Sequence, residues 1–171
     1  RLERLAELFV AWAHEAYWTP YGQVFDIGIA TRAAIGRIAA GVTPEEAGGV
    51  GDYDNGNGSL MRILPVALRW RDPDEVVAAA GRISAITHRH PRSQMACGVY
   101  CLIAKGLLNG MTVAEACAAV AASLGRHFSC EALAPEASHF ARLMSADFAA
   151  TPESAIKSDG YVVHTLEAAV W

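Results

Sequence analysis

Two glycines, two asparagines and two aspartates crowd the segment Asp52-Tyr-Asp-Asn-Gly-Asn-Gly-Ser-Leu-Met-Arg62, which we call the glycine loop. Glycine lets the backbone approach a ligand closely, and the start of a helix presents free N–H groups to an anion. Because an apolar, helix-like segment from Leu60 to Leu68 follows, the loop could bind a phosphate group. It could also be a turn between helices in which Ser59 is the N-cap. A Gly-x-Gly spacing does not decide between these two interpretations.

A second group of candidate residues is the histidine pair in Thr87-His88-Arg89-His90-Pro91. Imidazoles two residues apart in a loop could bind one metal ion, but no third ligand at helical spacing is near in the sequence. His88 could instead donate a hydrogen bond to a phosphate or ribose oxygen. His90 could simply cap the helix that begins at Pro91. The sequence alone leaves these uses open.

The third group is Ser158-Asp159-Gly160-Tyr161 with His164. Tyr161 and His164 are three residues apart and share one face of a predicted helix. A tyrosine where a loop enters a helix can stack on a flat ring. It can also be a core aromatic residue whose hydroxyl reaches the surface.

Carboxylates that could support hydrolysis are harder to assign. Hydrolysis usually needs positioned carboxylates or a metal-bound water. The candidates are Asp26, Asp52 and Asp54, and none has a partner at an informative spacing. The sequence pattern therefore does not identify the catalytic residues.

The elements that must position these groups are predicted to be helices throughout. Apolar residues recur at steps of three and four along most of the chain, and no segment alternates as a strand would. Proline, glycine and capping residues divide this pattern into segments. The predicted helices cover the N-terminal region to Trp18, Asp26 to Ala40, a short turn after Thr43, a short or kinked helix around Pro65, a helix opening at Asp72, Pro91 to Leu108, Thr112 to Gly125, Pro135 to Ala146, and a last helix from Tyr161. The fold class is all-α, an orthogonal multi-helix bundle.

Length and composition restrict the possible classes of protein. The 171 residues predict one domain, residues 1–171. A net charge of −4 argues against an extended nucleic-acid-binding surface, and no apolar run is long enough to cross a membrane. The four cysteines form no Cys-x-x-Cys pair. Cys97 and Cys101 share an apolar helix face, which predicts buried free thiols and a reducing, cytoplasmic compartment.

Both ends of the chain lack helix-capping residues. Arg1 stands inside a helical pattern without an N-cap, and Trp171 ends an apolar-periodic run without a C-terminal glycine. This pattern predicts an internal fragment of a longer protein. The alternative is a processed chain whose ends fray.

Three ordered motifs carry a resemblance to a known family. They are Gly-Asn-Gly-Ser-Leu-Met-Arg-Ile-Leu-Pro from Gly56 to Pro65, then Ile86-Thr87-His88 with Ser93, then Asp159-Gly-Tyr-Val-Val-His-Thr-Leu-Glu-Ala-Ala-Val-Trp171. Together with Phe25-Asp26-Ile27-Gly28, these motifs resemble the ADP-ribosylglycohydrolase family, the relatives of dinitrogenase-reductase-activating glycohydrolase. The resemblance covers nearly the whole chain. It implies an all-α fold and cleavage of the bond at C1 of the distal ribose of an ADP-ribosylated side chain or small acceptor.

The resemblance also implies a set of substrate-binding residues. The loop residues would bind the diphosphate, His88 would contact the ADP-ribose, and Tyr161 would line or stack at the nucleotide end. Arg62 would lock the loop rather than touch the ligand. The loop residues in question are Asn55, Gly56, Asn57, Gly58 and Ser59.

The family's metal ligands are not found in this chain. The resemblance implies two Mg²⁺ or Mn²⁺ ions, held by acidic motifs that would precede Arg1 and follow Trp171. The leading hypothesis is therefore part of a metal-dependent hydrolase, with this chain supplying the ADP-ribose-binding surface. The alternatives are an inactive ADP-ribose or nucleotide binding module and a crystallin-like structural relative. The acceptor that is released and the oligomeric state stay open.

Overall fold

The structure is a computed structural model that describes residues 2–171, and within that range it is helical, with isolated bridges in place of a sheet. The prediction of an all-α fold is confirmed. Arg1, the first residue of the predicted domain, lies outside the described residues. The α-helices are α1 (Leu2–Glu15), α2 (Ile29–Ala39), α3 (Pro44–Ala47), α4 (Pro65–Arg69), α5 (Pro73–Ala85), α6 (Pro91–Leu108), α7 (Val113–His127) and α8 (Val162–Val170). Short 3₁₀ helices cover Asp52–Asp54, Leu60–Arg62, Ala134–Phe140, Phe148–Ala150 and Glu153–Ala155.

Helix α6 is the centre of the core. It packs against α5, α7, α4 and α8, so a helix that is apolar on most sides finds neighbours on most sides. Cys97 and Cys101 are buried in it as free thiols, which confirms the sequence-based prediction of their burial. Burial raises the pKa of the Cys101 thiol to about 12, so this thiol is not a nucleophile at neutral pH. None of the described helices is long and apolar enough to span a bilayer.

The capping residues set several helix starts as predicted. Asp72 accepts hydrogen bonds from the amides of Asp74 and Glu75 at the start of α5. Thr112 and Glu115 cap each other's backbone at the start of α7. Pro65 is the first residue of a five-residue helix, in line with the short helix expected there.

The first two helices are shorter than predicted. Helix α1 ends at Glu15 rather than near Trp18, because Ala16 and Trp18 have φ of 54° and 60°. Helix α2 begins at Ile29 rather than Asp26, whose φ is 51°. An L-residue with positive φ cannot continue a right-handed helix, so these positions interrupt the apolar periodicity.

The prediction of a helix from Pro135 to Ala146 is wrong. A 3₁₀ helix, Ala134–Phe140, and a series of turns occupy the segment. Phe140 and Leu143 are fully buried three residues apart, a spacing that suits 3₁₀ geometry. Helix α7 also extends past Gly125 to His127.

An ion pair between the exposed Arg142 and the buried Glu167 fixes this irregular segment to α8. Glu167 is 3% exposed, and both of its carboxylate oxygens accept hydrogen bonds from Arg142. Arg142 also donates to the carbonyl of Ala155 at 2.9 Å. The segment thus holds the helix whose N-terminal end borders the glycine loop.

The burial of Phe140 predicts that this segment stabilises the whole fold. We expect Phe140→Ala to lower the free energy of unfolding by about 3–4 kcal/mol, because it opens a cavity in a closed core. Urea unfolding followed by circular dichroism measures this change. Phe25→Ala, at a residue 71% exposed, is the matched control and should change stability little. Equal losses in the two variants would show that the segment does not seal the core.

Candidate functional site

A cavity of about 600 Å³ lies between α1, the segment before α2, and the glycine loop. Apolar side chains form most of its wall, and a few polar groups converge on it from the loop side. Its lining includes Phe9, Trp12, Asp26, Gly58, Arg62 and His88. A mainly apolar cavity of this size with a few polar groups is typical of a small-molecule site.

The glycine loop is fixed by backbone contacts to the residues before α8. Asn57 donates its amide to the carbonyl of Gly160 at 3.0 Å, and Val162 donates to the carbonyl of Asn55 at 2.9 Å. The Asn57 side chain also donates to the hydroxyl of Thr165. Residues about a hundred positions apart thereby hold the loop in one conformation.

Three consecutive amides of the loop are left free. No acceptor among the described residues takes a hydrogen bond from the N–H groups of Gly58, Ser59 or Leu60. Gly58 itself lines the cavity. Successive unpaired amides in a turn form a binding surface for an anion.

The single helix expected from Leu60 to Leu68 is two short helices in the structure. The loop leads into the three-residue 3₁₀ helix Leu60–Arg62, and α4 begins only at Pro65. A helix dipole therefore contributes little here, and an anion would be held by the turn amides. Ser59 does not cap a helix with its side chain. Its buried hydroxyl accepts a hydrogen bond from Ser84 at 2.9 Å.

Arg62 joins the loop to the junction between α5 and α6. Its Nη1 donates to the carbonyl of Gly58 at 2.7 Å, and its Nη2 donates to the hydroxyl of Thr87 at 2.5 Å. The guanidinium carbon lies 5.1 Å from the centre of the Phe9 ring. Burial lowers the pKa of Arg62 to about 10, so the side chain stays charged at neutral pH. This geometry fits the loop-locking role implied by the family resemblance.

His88 lies against the other side of the loop. It is 2% exposed, its Nδ1 is 2.7 Å from the Thr87 hydroxyl, and its ring borders the cavity. A Cβ atom placed on Gly58 would lie 2.8 Å from Cε1 of this ring, so only glycine allows such a close approach. Burial, followed by the charge of Arg62, lowers the pKa of His88 to about 4 against the opposing effect of Asp54. The imidazole is therefore neutral at physiological pH.

The backbone on both sides of His88 packs closely against the backbone of Gly48 and Gly49. Gly48 donates to the carbonyl of Ala85 at 3.0 Å, and Arg89 donates to the carbonyl of Gly49 at 2.9 Å. A Cβ on Gly48 would lie 2.6 Å from the amide nitrogen of Arg89, so the crossing requires glycine. This contact fixes the position of His88 relative to the glycine loop.

The structure brings some of the predicted binding residues to the cavity and places others behind it. Gly56, Asn57, Gly58 and His88 line the cavity. Asn55 is buried and accepts a hydrogen bond from Ser93, in the same layer as Ser59. The ring of Tyr161 packs edge-on against His164 at 4.8 Å, outside the cavity lining. The binding roles of all seven residues, on the cavity wall or behind it, stay predictions.

The two histidines of the His88-x-His90 pair make separate contacts. His90 caps α6, because its Nδ1 accepts a hydrogen bond from the amide of Arg92 at 3.2 Å. This confirms the capping interpretation. Within residues 2–171 no three His, Cys, Asp or Glu side chains are grouped so that they could hold a metal ion.

Sequence reasoning missed the aromatic wall of the cavity. Phe9 and Trp12 in α1 follow helical spacing and read as ordinary core residues, yet they face the cavity with Trp18 and Tyr53. Trp18 is 84% exposed, which no periodicity argument indicates. Of the three candidate acids, only Asp26 lines the cavity.

Comparisons with known proteins decide the family. The sequence model of the ADP-ribosylglycohydrolase family matches residues 1–171. The chain belongs to the ADP-ribosylglycohydrolase family. It is also similar to ADP-ribosylarginine hydrolase Tri1 of Pseudomonas putida (strain GB-1), with 29% identity over 170 residues. That alignment covers 97% of this chain and 42% of the relative. The chain thus spans less than half the length of that relative.

The lowered pKa of His88 predicts a pH-dependent loss of stability. Between about pH 6.5 and about pH 4 the unfolded state binds a proton on this histidine that the folded state does not bind. The free energy of unfolding therefore falls as the pH falls through this window, by up to about 3 kcal/mol from this residue. Urea unfolding at several pH values gives the free energy of unfolding as a function of pH. The difference between the wild type and His88→Gln isolates the contribution of His88.

The variant should show a shallower decline with falling pH than the wild type. His14→Gln, at the exposed end of α1, controls for the loss of a histidine as such. Parallel curves for wild type and His88→Gln would contradict a desolvated, neutral His88.

Proposed function

We propose that this chain forms the ADP-ribose-binding part of a hydrolase that removes ADP-ribose from a modified side chain or a small acceptor. The observation that carries this proposal is the row of free amides at Gly58, Ser59 and Leu60, of which Gly58 lines a cavity of about 600 Å³. Family membership supplies the reaction class. The glycine loop would bind the diphosphate, and the cavity would hold the distal ribose.

Electrostatics near the loop favour an anion. Arg62 is charged and largely desolvated, and no carboxylate among the described residues lies within ion-pair distance of it. Both of its Nη atoms hold protein oxygens, so it acts on a ligand through its field rather than by direct contact. Hydrogen bonds from amides to a charged phosphate oxygen are stronger than those between neutral groups.

The acid that faces the cavity is Asp26. Glycoside cleavage passes through a transition state with positive charge on the sugar ring, and a nearby carboxylate stabilises that charge. Asp26 is the one acidic residue among the described residues that line the cavity. We assign to Asp26 the stabilisation of this positive charge. We assign no role in the chemistry to Asp52 or Asp54.

Arginine is the acceptor that we would test first. The relative named above is an ADP-ribosylarginine hydrolase. In this chain the cavity wall combines Trp12, Trp18 and Asp26, and a guanidinium group can stack on an aromatic face and pair with a carboxylate. We therefore propose an N-glycosidic bond to arginine as the preferred linkage.

The described residues do not contain a metal site of the kind that the family resemblance implies. Mg²⁺ and Mn²⁺ prefer several oxygen ligands grouped at one point. Residues 2–171 bring no such group together, so the donor set does not fit a two-metal centre. The binding step proposed here uses only the amides, His88 and the field of Arg62. For the compartment, the four free thiols support a reducing, cytoplasmic environment.

Calorimetric titration with ADP-ribose tests the proposed binding step. We expect the chain to bind ADP-ribose with the same affinity with and without Mg²⁺, because the groups that contact the diphosphate belong to the protein. Gly58→Ala should weaken binding by about tenfold, equivalent to about 1.4 kcal/mol. The added methyl group would lie 2.8 Å from the His88 ring and 3.0 Å from the Thr31 hydroxyl, so the loop must shift.

Gly36→Ala is the matched control, since a Cβ there meets nothing within 4 Å and alanine suits the interior of α2. It should bind as the wild type does. Binding that requires Mg²⁺ would show that metal ligands lie within these residues. A folded chain that does not bind ADP-ribose at all would favour the crystallin-like structural relative.

A further inference from the structure

The side chains of Arg62, Thr87 and His88 form a buried chain of hydrogen bonds behind the cavity, which we call the relay. Arg62 Nη2 lies 2.5 Å from the Thr87 hydroxyl oxygen, and that oxygen lies 2.7 Å from His88 Nδ1. Thr87 is completely buried, so water does not reach its hydroxyl. The relay ends at the imidazole ring that borders Gly56, Gly58 and the cavity.

The position of each proton in the relay follows from donor and acceptor capacity. A guanidinium can only donate, so it occupies a lone pair of the Thr87 oxygen. The Thr87 proton must then be donated elsewhere, and His88 Nδ1 is the one acceptor within reach among the described residues. If Nδ1 carried a proton instead, the hydroxyl proton would be buried without a partner. That arrangement is disfavoured by tenfold or more, on the order of the effect of one buried unsatisfied donor.

We infer that Arg62 and Thr87 are positioning residues that hold His88 as the neutral tautomer protonated on Nε2, so that it presents a hydrogen-bond donor to the ligand. The low pKa of His88 agrees with this assignment, because a neutral ring must leave one nitrogen unprotonated. No acceptor among the described residues takes a hydrogen bond from Nε2. This nitrogen lies near both Gly56 and Gly58, where added Cβ atoms would be 3.5 Å and 3.3 Å away.

A fixed Nε2–H restricts what His88 can do. It can donate to a phosphate oxygen or to a ribose oxygen, but it cannot accept a proton at that nitrogen. His88 is therefore a binding group for an acceptor atom of the ligand and not a general base toward the sugar. This role rests on the proposed function, since it takes the cavity to be the ADP-ribose site.

Long-range proton–nitrogen NMR of the histidine-labelled chain reads the tautomer directly. In the full chain at neutral pH and without ligand, we expect the His88 ring to show Nδ1 unprotonated and Nε2 protonated. His88→Gln identifies the signal among the six histidines. A wild-type ring protonated on Nδ1, or one that exchanges between both forms, would overturn the inference without any need for a Thr87 variant.

Thr87→Val and Thr87→Ser test whether the hydroxyl sets the tautomer. Valine keeps the shape and removes the donor, so the ring should move toward the Nδ1-protonated form and ADP-ribose affinity should fall by about tenfold, since a ligand acceptor then loses its donor. Serine keeps the hydroxyl and should retain both properties. An unchanged tautomer in a folded Thr87→Val chain would exclude the relay.

The two proposals fail in different ways. The tautomer is measured without ADP-ribose, so a chain with the expected tautomer but no ADP-ribose binding overturns the proposed function alone. A chain that binds ADP-ribose with the opposite tautomer overturns the relay alone. If Thr87→Val does not fold, the wild-type spectrum and the serine variant still decide the question.

Discussion

The guanidinium of Arg62 holds together three parts of the chain that are far apart in sequence. It donates to the carbonyl of Gly58 in the glycine loop and to the hydroxyl of Thr87 between α5 and α6, and it lies over the ring of Phe9 in α1. The loop, His88 and the aromatic wall therefore take their relative positions from one side chain. A smaller or shorter residue could not make both of the hydrogen bonds, to Gly58 and to Thr87, that set this geometry.

The same interaction supports the proposal that the site binds an anion. A desolvated charge without a carboxylate partner is costly, and Nε of Arg62 is buried with no acceptor among the described residues. Part of that cost is offset by the two hydrogen bonds and by the Phe9 ring. The remainder favours a negative group nearby, and the free amides of the loop are where such a group can bind. Arg62 thus both holds the loop and supports the proposed anion binding.

Much of the architecture could be predicted because it is encoded locally. The starts of α5 and α7 follow from Asp72 and Thr112, and the burial of Cys97 and Cys101 follows from apolar spacing on α6. The failures have a tertiary cause. The left-handed residues around Asp26 and the 3₁₀ turns that end at Phe140 are held by packing that periodicity does not contain.

The candidate site shows the same division. The glycine loop and His88 could be found from motifs, because their chemistry needs particular residue types in a fixed order. The cavity wall could not be found, because Trp12 and Trp18 gain their role from how α1 and the next segment meet the loop. The orientation of Tyr161 likewise depends on His164 and Arg92, which form a layer of their own.

We propose that the turn amides of the glycine loop bind the diphosphate of ADP-ribose. A titration of the isotope-labelled chain with ADP-ribose, followed by backbone amide NMR, tests it most directly. We expect the largest saturable changes in chemical shift at the amides of Gly58, Ser59 and Leu60, with that of His88 next. Saturable binding that leaves those three amides unchanged, or no binding by the folded chain, would contradict it.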